Sequence, residues 1–326
     1  MSTRYRLVEL LADGRFHSGE WLGRRLGMSR AAVWKQVKAL EETGLEVFAV
    51  RGKGYRLATP FEPLRAEAIR AALEADVAAR FDTIEVFREI DSTSDYLRKQ
   101  EPPFGKTGLR ACAAEWQRAG RGRRGRRWVS PWGASLYLSL SRTLGGEVLQ
   151  AGGLSLAAAV AVAGTLEGNG IEGLGLKWPN DIYYRGRKLA GILLDLCGES
   201  GGPYQVVIGT GINLRMPAGA ARDIDQPWAD LSQAGVVVER NRLAGLVLQS
   251  LVRAIDEFAK EGLSAFMDEW RRMDLVTGRA VTLRRDHGEA ISGVACGIDE
   301  RGAILIESAG ATRSYHAGEV SLRPGG

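Results

Sequence analysis

Ten residues, Arg118 to Arg127, read RAGRGRRGRR and hold six arginines and three glycines with no acid among them. Glycine lets backbone amides come close to a ligand, and arginine presents a planar fork of donors that fits carboxylates and phosphates. The stretch is suited to holding an anion. Three other segments could share the work. Ser92-Thr93 follow a strand-like run and open a helix-like one, so their hydroxyls and the first-turn amides can face a ligand. Gln117 ends the strand-like run before the arginines and can both donate and accept, as a urea or amide ligand requires. Lys177, in KWPND, stands where a strand enters a Pro-Asn turn and can point into a pocket. Taken singly each has a plainer reading: a helix cap, an edge-strand amide, a surface lysine. Their joint occurrence carries the argument. Gly120 to Gly125 also matches GxGxxG spacing, but it lacks the βαβ setting of a dinucleotide fold, and no Gly-Lys-Ser/Thr follows as a P-loop needs.

These residues need a scaffold, and composition bounds it. The chain has 326 residues, enough for two or three domains, with 45% hydrophobic and 25% charged residues, as in soluble globular proteins. No apolar run approaches the roughly 20 residues of a membrane helix, and the charged, amphipathic start is unlike a signal peptide. Three scattered cysteines, Cys112, Cys197 and Cys296, make neither a metal site nor a disulfide framework, so a cytoplasmic location is expected. His17, His287 and His316 lie far apart and read as structural or exposed residues. No metal site is expected from the protein's own residues.

Charge is unevenly spread. Residues 1–60 carry 11 Lys/Arg against 6 Asp/Glu, and the remaining 266 balance at 33 against 33. The net +5 therefore sits wholly in the N-terminal segment and points to a polyanion partner there. The arginine loop is a local excess inside a neutral region, which suits a small-ligand site.

Apolar spacing and caps predict helices over 4–12, 19–26 and about 30–42, with Gly27-Met28 as the turn between the last two. That is a helix-turn-helix. Ser29 opens the third helix, which would expose Arg30, Trp34, Lys35 and Lys38 to base edges and phosphates. LEVFAV and YRLA flank Arg51-Gly52-Lys53-Gly54 as a hairpin with a basic tip, a wing that adds Arg51 and Lys53 to the DNA-binding set. Thr59–Pro63 reads as a linker. Beyond it come an alanine-rich helix over 64–77, strands over 84–90, 109–117 and 134–144, and a helix over 153–166. Residues 174–184 and 188–197 read as a hairpin around Arg185-Gly186, followed by a strand over 204–214 and an amphipathic helix over 240–261. This predicts an α+β domain on a mixed, largely antiparallel sheet. From about Thr277, short strands between Gly and Asp turns predict a small β-barrel.

In HSGEWLGRRLGMSRAAVWK, RGKGYRL, IDSTSDYL, EWQRAGRGRRGRRWVSPWGASLYLSL, KWPNDIYYRGRKLAGILLD and VIGTGINL, the chain resembles the bacterial family of bifunctional biotin–protein ligases and biotin operon repressors. The resemblance spans essentially the whole chain. It implies a winged helix-turn-helix over 1–62, a class II synthetase-like catalytic domain over 63–274 and an SH3-like barrel over 275–326. It implies that biotin and MgATP form biotinyl-5′-AMP, whose biotinyl group passes to a lysine of the biotin carboxyl carrier protein of acetyl-CoA carboxylase. It also implies an adenylate-bound homodimer that represses through operator DNA, with no membrane association. By the resemblance Ser92, Thr93, Ser94 and Gln117 bind biotin, and Arg121, Gly122 and Arg123 belong to the loop that closes on it. Arg121, Gly122, Arg123 and Lys177 count among the biotin-binding residues; Lys177 lies between the biotin carboxylate and the α-phosphate, Lys177 and Arg123 are the catalytic pair, and Trp228 and Trp132 wall the adenine. Ser94 departs from the family's usual Asn, so a contact made there by backbone survives and one made by the amide side chain is altered. A biotin-sensing repressor without ligase activity, and a lipoate or octanoate ligase, remain the alternatives.

Overall fold

The computed structural model describes residues 3–41, 45–100, 108–144, 151–198, 204–285, 290–316 and 320–324. The N-terminal unit is α1 (Thr3–Leu11), α2 (Gly19–Leu26), α3 (Arg30–Glu41), β1 (Val47–Val50) and β2 (Gly54–Leu57). Ser18 Oγ accepts from the Trp21 N–H and starts α2; Gly27, at φ 67°, ends it in the left-handed region where glycine is unstrained. Leu7, Leu11, Leu22, Val33, Val37 and Leu40 form the core of the three helices. β1 and β2 pair antiparallel, and Arg51–Lys53 sit exposed at the tip of this wing.

The central unit begins with α4 (Ala66–Ala71) and α5 (Ala75–Ala78). The single helix expected over 64–77 is thus two short ones. The Glu74 N–H between them donates to Gln249 Oε1 at 2.7 Å instead of continuing the helical ladder. There follow β3 (Thr83–Ile90), α6 (Thr93–Arg98), β4 (Arg110–Gln117), β5 (Ser135–Leu144), α7 (Ala151–Gly168), β6 (Leu174–Lys177), β7 (Asp181–Tyr184), β8 (Arg187–Cys197), β9 (Tyr204–Asn213), α8 (Ala218–Ala221), α9 (Arg240–Glu261) and α10 (Met267–Met273). The run expected as one strand over 174–184 is two, because the chain turns back at Trp178–Asn180 and pairs Lys177 with Asp181. Among the described residues the central sheet has the order β3-β4-β5-β9-β8-β7-β6. β3 and β4 run parallel and the other neighbours antiparallel, as a mixed α+β sheet requires. α7 and α9 contribute their apolar residues to the same core as the sheet.

The last unit is β10 (Ala280–Arg285), β11 (Ile291–Ile298), β12 (Ile304–Ser308), β13 (Ala311–Tyr315) and β14 (Val320–Pro324), ordered β13-β12-β11-β10-β14. Among the described residues this sheet does not close into the expected barrel. Its edge strand β13 exposes four of its five residues, ATRS, and so meets water rather than β14.

Aromatic packing and a clamped linker join the N-terminal unit to the centre, with the Arg88 guanidinium of β3 also lying over the Tyr5 ring. Trp132 lies 5.9 Å from Tyr5 and 6.0 Å from Trp116, ring centre to ring centre, inside the helical core. The linker is clamped rather than loose. Arg240 and Glu115, both buried, pair at 2.8 Å. Glu115 Oε1 accepts the Leu64 N–H at 2.6 Å, and the Arg240 guanidinium donates to Glu62 O and lies over the Phe61 ring. Among the described residues no helix is long and apolar enough to cross a membrane. His17 bonds Asp13 and stacks on Trp21, and His316 is exposed; His287 lies outside the described residues.

Candidate active site

A cavity of about 870 Å³ opens between the arginine loop and the central sheet. Its floor is a buried chain of hydroxyls and one amide. Ser92 caps α6, accepting from the Asp95 N–H, so the cap reading and the pocket reading hold together. The Thr93 N–H donates to Gln117 Oε1 at 2.9 Å. A backbone N–H has no other orientation, so this bond settles which end of the Gln117 amide is oxygen. Gln117 Nε2 donates to Ser130 Oγ at 3.3 Å, and Ser130 Oγ donates to the Trp128 carbonyl. Among the described residues the second Nε2 hydrogen has no acceptor, and Gln117 lines the cavity. Ser139, wholly buried, joins Thr93 Oγ1 at 2.8 Å to Ser94 Oγ at 3.0 Å. Ser94 lies under Gly209, where any Cβ would overlap its hydroxyl. Such a floor presents fixed polar atoms to a small uncharged polar head and excludes bulk water.

One wall is Trp128. Gly191 and Gly211 are register partners across β8 and β9, and the indole lies on both. A Cβ at Gly211 would stand 2.7 Å from a ring atom, so glycine there is a condition of the close approach. Beside this wall Lys188 Nζ lies 5.6 Å from the Trp128 ring centre and 2.8 Å from Asp181 Oδ1. Strict alternation would send Lys188 and Gly191 to opposite faces of β8. A register shift against β7 between Ile182 and Tyr183 brings them to the same one.

The far end is cationic. Arg123 donates to Asn180 Oδ1 at 3.2 Å, and Asn180 in turn donates to the Ile192 carbonyl. Burial holds the Arg123 pKa below the usual guanidinium range, with Asp181 opposing the shift. Lys177 donates to the Tyr183 hydroxyl at 3.3 Å, and burial followed by Asp181 raises the Tyr183 pKa, keeping it a neutral phenol. The loop after β9 closes this end with Asp223, Asp225, Gln226 and Pro227. It is tied to β8 by Lys188 N–H to Pro227 O and Ala229 N–H to Lys188 O. The loop of arginines is itself shaped by a backbone bond from Gly122 N–H to Arg126 O, with Arg124 at φ 58° and Gly125 at φ 70°.

Ser92, Thr93, Ser94, Gln117, Arg121, Gly122, Arg123 and Lys177 all line this one cavity. Trp132 does not. The turn Ser130–Gly133 carries the chain from the cavity side to the winged helix, and Trp132 is core there, 4% exposed. This corrects the expectation that it walls the adenine. Trp228 bridges to Lys188, next to wall residue Pro227 rather than in the wall itself. Trp128 and Lys188 also line the cavity, and residue type and spacing alone do not single them out. The RKLAGIL run does hold a signal, a lysine three residues before a glycine, but only the β-bulge makes those two neighbours.

A second surface lies on the N-terminal unit. Ser29 Oγ accepts from the Ala32 N–H and caps α3. Arg30, Trp34, Lys35 and Lys38 are exposed on that helix, with Trp34 51% exposed, and Arg51 and Lys53 are exposed at the wing tip. An indole that large in water beside basic residues suits contact with stacked bases and phosphates.

Three family profiles cover most of the chain: HTH domain at 3–56, Biotin/lipoate A/B protein ligase family at 86–213 and Biotin protein ligase C terminal domain at 276–323. The chain is 44% identical over 319 residues to "Bifunctional ligase/repressor BirA" of Salmonella typhimurium, spanning 97% of this chain and 96% of that one. It is 43% identical to the protein of the same name from Escherichia coli, spanning 98% and 96%. Among solved structures, the biotin protein ligase from Aquifex aeolicus in complex with biotin and ATP matches with TM-score 0.61 at 27% identity, covering 75% of this chain and all of that one. An HTH domain, a biotin ligase domain and near end-to-end similarity to proteins named bifunctional ligase/repressor lead to one conclusion: the chain belongs to the bifunctional biotin ligase/repressor family.

Proposed function

We propose that the protein is a biotin–protein ligase that also acts as a biotin-dependent repressor. The observation that carries the ligase half is the single cavity with a fixed hydroxyl–amide floor at one end and Arg123, Lys177 and Lys188 at the other. A ureido head fits the floor, with Ser92, Thr93, Ser94 and Gln117 around it, and the apolar tail runs along Trp128 and the paired glycines. In the first step a carboxylate oxygen of biotin bonds the α-phosphorus of ATP and pyrophosphate leaves. Two anions must meet, and preorganised cations offset their repulsion. Lys188, adjoining the indole, faces the carboxylate and α-phosphate. Lys177 and Arg123, further along, face the polyphosphate. ATP enters as its magnesium complex, with Trp228 beside the adenine. In the second step a lysine amine of the biotin carboxyl carrier protein bonds the adenylate's carbonyl carbon and AMP leaves. We read the chain as a cytoplasmic protein with units at 1–62, 63–274 and 275–326.

Pyrophosphate release with biotin, lipoate or octanoate and MgATP tests this directly. Release is expected with biotin. None with biotin overturns the ligase reading and leaves a sensor, and release only with lipoate or octanoate moves the specificity to the related ligases.

For the repressor half, Arg30, Trp34, Lys35, Lys38, Arg51 and Lys53 meet operator DNA, and the adenylate-bound chain pairs into a homodimer on a two-fold site. Operator affinity should fall with salt at about −0.9 log unit per phosphate contacted. A Lys35→Ala, Lys53→Ala variant should show a shallower slope with unchanged pyrophosphate release. Sedimentation with and without biotin and MgATP should show a doubling of mass; an unchanged mass would remove the dimer from the scheme.

A further inference from the structure

The six arginines of the loop have different partners. Arg118 pairs with Glu89 and Asp91 near the loop's base. Arg123 donates to a neutral amide, and Arg124 to the Arg284 carbonyl of the C-terminal sheet. Arg126 and Arg127 are exposed at the cavity's edge. Arg121 stands between two carboxylates. Its Nη1 lies 2.7 Å from Asp95 Oδ1 and 3.0 Å from Asp195 Oδ2, and its Nη2 donates to Asp195 Oδ1 at 3.4 Å. Asp195 thus takes the guanidinium fork with both oxygens, a geometry that fixes direction as well as distance.

We propose that Arg121 is a strut rather than a ligand-binding cation, and that Asp95 and Asp195 are positioning residues that hold the arginine loop over the cavity. Three observations carry this. Neither aspartate lines the cavity, although Arg121 does. Each aspartate comes from an element that already builds the site: Asp95 from the first turn of α6, which carries Ser92, Thr93 and Ser94, and Asp195 from β8, which carries Lys188 and Gly191. One side chain therefore ties the loop to floor and wall together. The attachment also sits at the loop's neck, where Arg121 and Arg127 form a backbone bridge, so it restrains all that lies between them.

Charge points the same way. An anionic substrate arriving at Arg121 would have to displace two carboxylates already within hydrogen-bond distance. The three side chains are only partly exposed, with Arg121 at 31%, Asp95 at 24% and Asp195 at 19%. Burial lowers the Arg121 pKa, but Asp195 and Asp95 outweigh it and leave it raised, so the cation is held at every ordinary pH. Asp95 has a second partner, Arg98 at 3.0 Å, so its removal takes a carboxylate from two arginines, whereas that of Asp195 takes one from Arg121.

The functional consequence rests on the ligase reading; the loop contact does not. The full chain is compared with Asp95→Asn/Asp195→Asn, which keeps size and shape, and with Asp195→Glu, which keeps the charge. Limited trypsin cleavage between Arg123 and Arg127, without ligands, reads the loop. Chase of preformed labelled adenylate reads retention, and a single turnover of pyrophosphate release reads chemistry. For a partly buried charge-assisted fork, the double variant should be cleaved, and should lose adenylate, about tenfold faster or more. Its first-turnover rate should stay within a few-fold, and Asp195→Glu should recover most of the loss. Wild-type cleavage and retention in the double variant would overturn the proposal. So would unchanged cleavage with a first turnover slowed as far as in Arg121→Ala, since that is how a ligand contact behaves. Should the double variant fail to fold, Asp195→Asn alone is read in the same way. A wild-type chain that releases no pyrophosphate defeats the ligase reading while the cleavage comparison still decides the strut.

Discussion

Replacing Lys188 by alanine should slow adenylate formation by roughly two to three orders of magnitude, about 2–4 kcal/mol of transition-state stabilisation. The ammonium lies beside the apolar wall of Trp128 and is aimed by Asp181 at 2.8 Å, so it needs no rearrangement when charge shifts onto the transferring phosphorus. Lys177→Ala should behave differently. That lysine is tethered to the Tyr183 hydroxyl at the far end, where the proposed reaction would put the leaving polyphosphate. Its loss should raise the ATP KM about tenfold, as expected for one charge-assisted contact, with a smaller fall in kcat. Rapid-quench measurement of adenylate at saturating biotin separates the two. If Lys177→Ala loses the chemical step and Lys188→Ala stays within a few-fold, the roles are exchanged.

Arg240→Met should destabilise the fold by about 3–5 kcal/mol, the largest stability loss expected of any single substitution here. Glu115 is 0% exposed, and without the guanidinium its side chain keeps, among the described residues, only the Leu64 N–H. The same substitution releases Glu62 O and Phe61, so the linker should loosen with the core. Denaturant unfolding of the full chain checks the first effect. The double change Arg240→Met/Glu115→Gln should recover most of the stability, because a buried pair costs more to break than to replace. Equal losses in single and double variants would show that Arg240 acts by packing alone.

Much of the architecture was legible in the residues. The caps at Ser18 and Ser29, the turn at Gly27 and the basic hairpin tip lie where local chemistry puts them, because capping and turn formation depend on neighbours in sequence. Helix α9 spans the residues its apolar spacing predicts. Ser92, Thr93, Gln117, Arg123 and Lys177 converge on one cavity although 85 positions separate the first from the last. What remained hidden depends on distant partners. The split between α4 and α5 follows from a glutamine 175 residues away. Trp132 reads as an aromatic wall, but only the path of the Ser130–Gly133 turn sends it to the helical core. Lys188 is reached through a bulge, and nothing in an apolar pattern marks a bulge before its partner strand is known. The two aspartates that meet Arg121 come from different elements, and a run of arginines says nothing of which acids will meet it.

The segment from Trp128 to Trp132 has one indole in the cavity wall and the other in the core of the winged helix. Between them Ser130 is bonded to Gln117 and Pro131 O accepts from the Tyr137 hydroxyl at 2.7 Å. On the strand alongside, Trp116 stacks on Trp132 while its neighbour Gln117 turns to the cavity. The cavity and the core of the winged helix thus share one short, hydrogen-bonded and stacked segment, so the two proposed binding events would act on the same few residues. Thermodynamic linkage makes such an arrangement two-way. Whatever factor a filled cavity contributes to the grip on an operator, the operator returns to the grip on the small molecule. A stretch of DNA would then act as a modulator of a metabolic enzyme, and the number of vacant operators in a cell would enter the rate at which the cofactor is handed on.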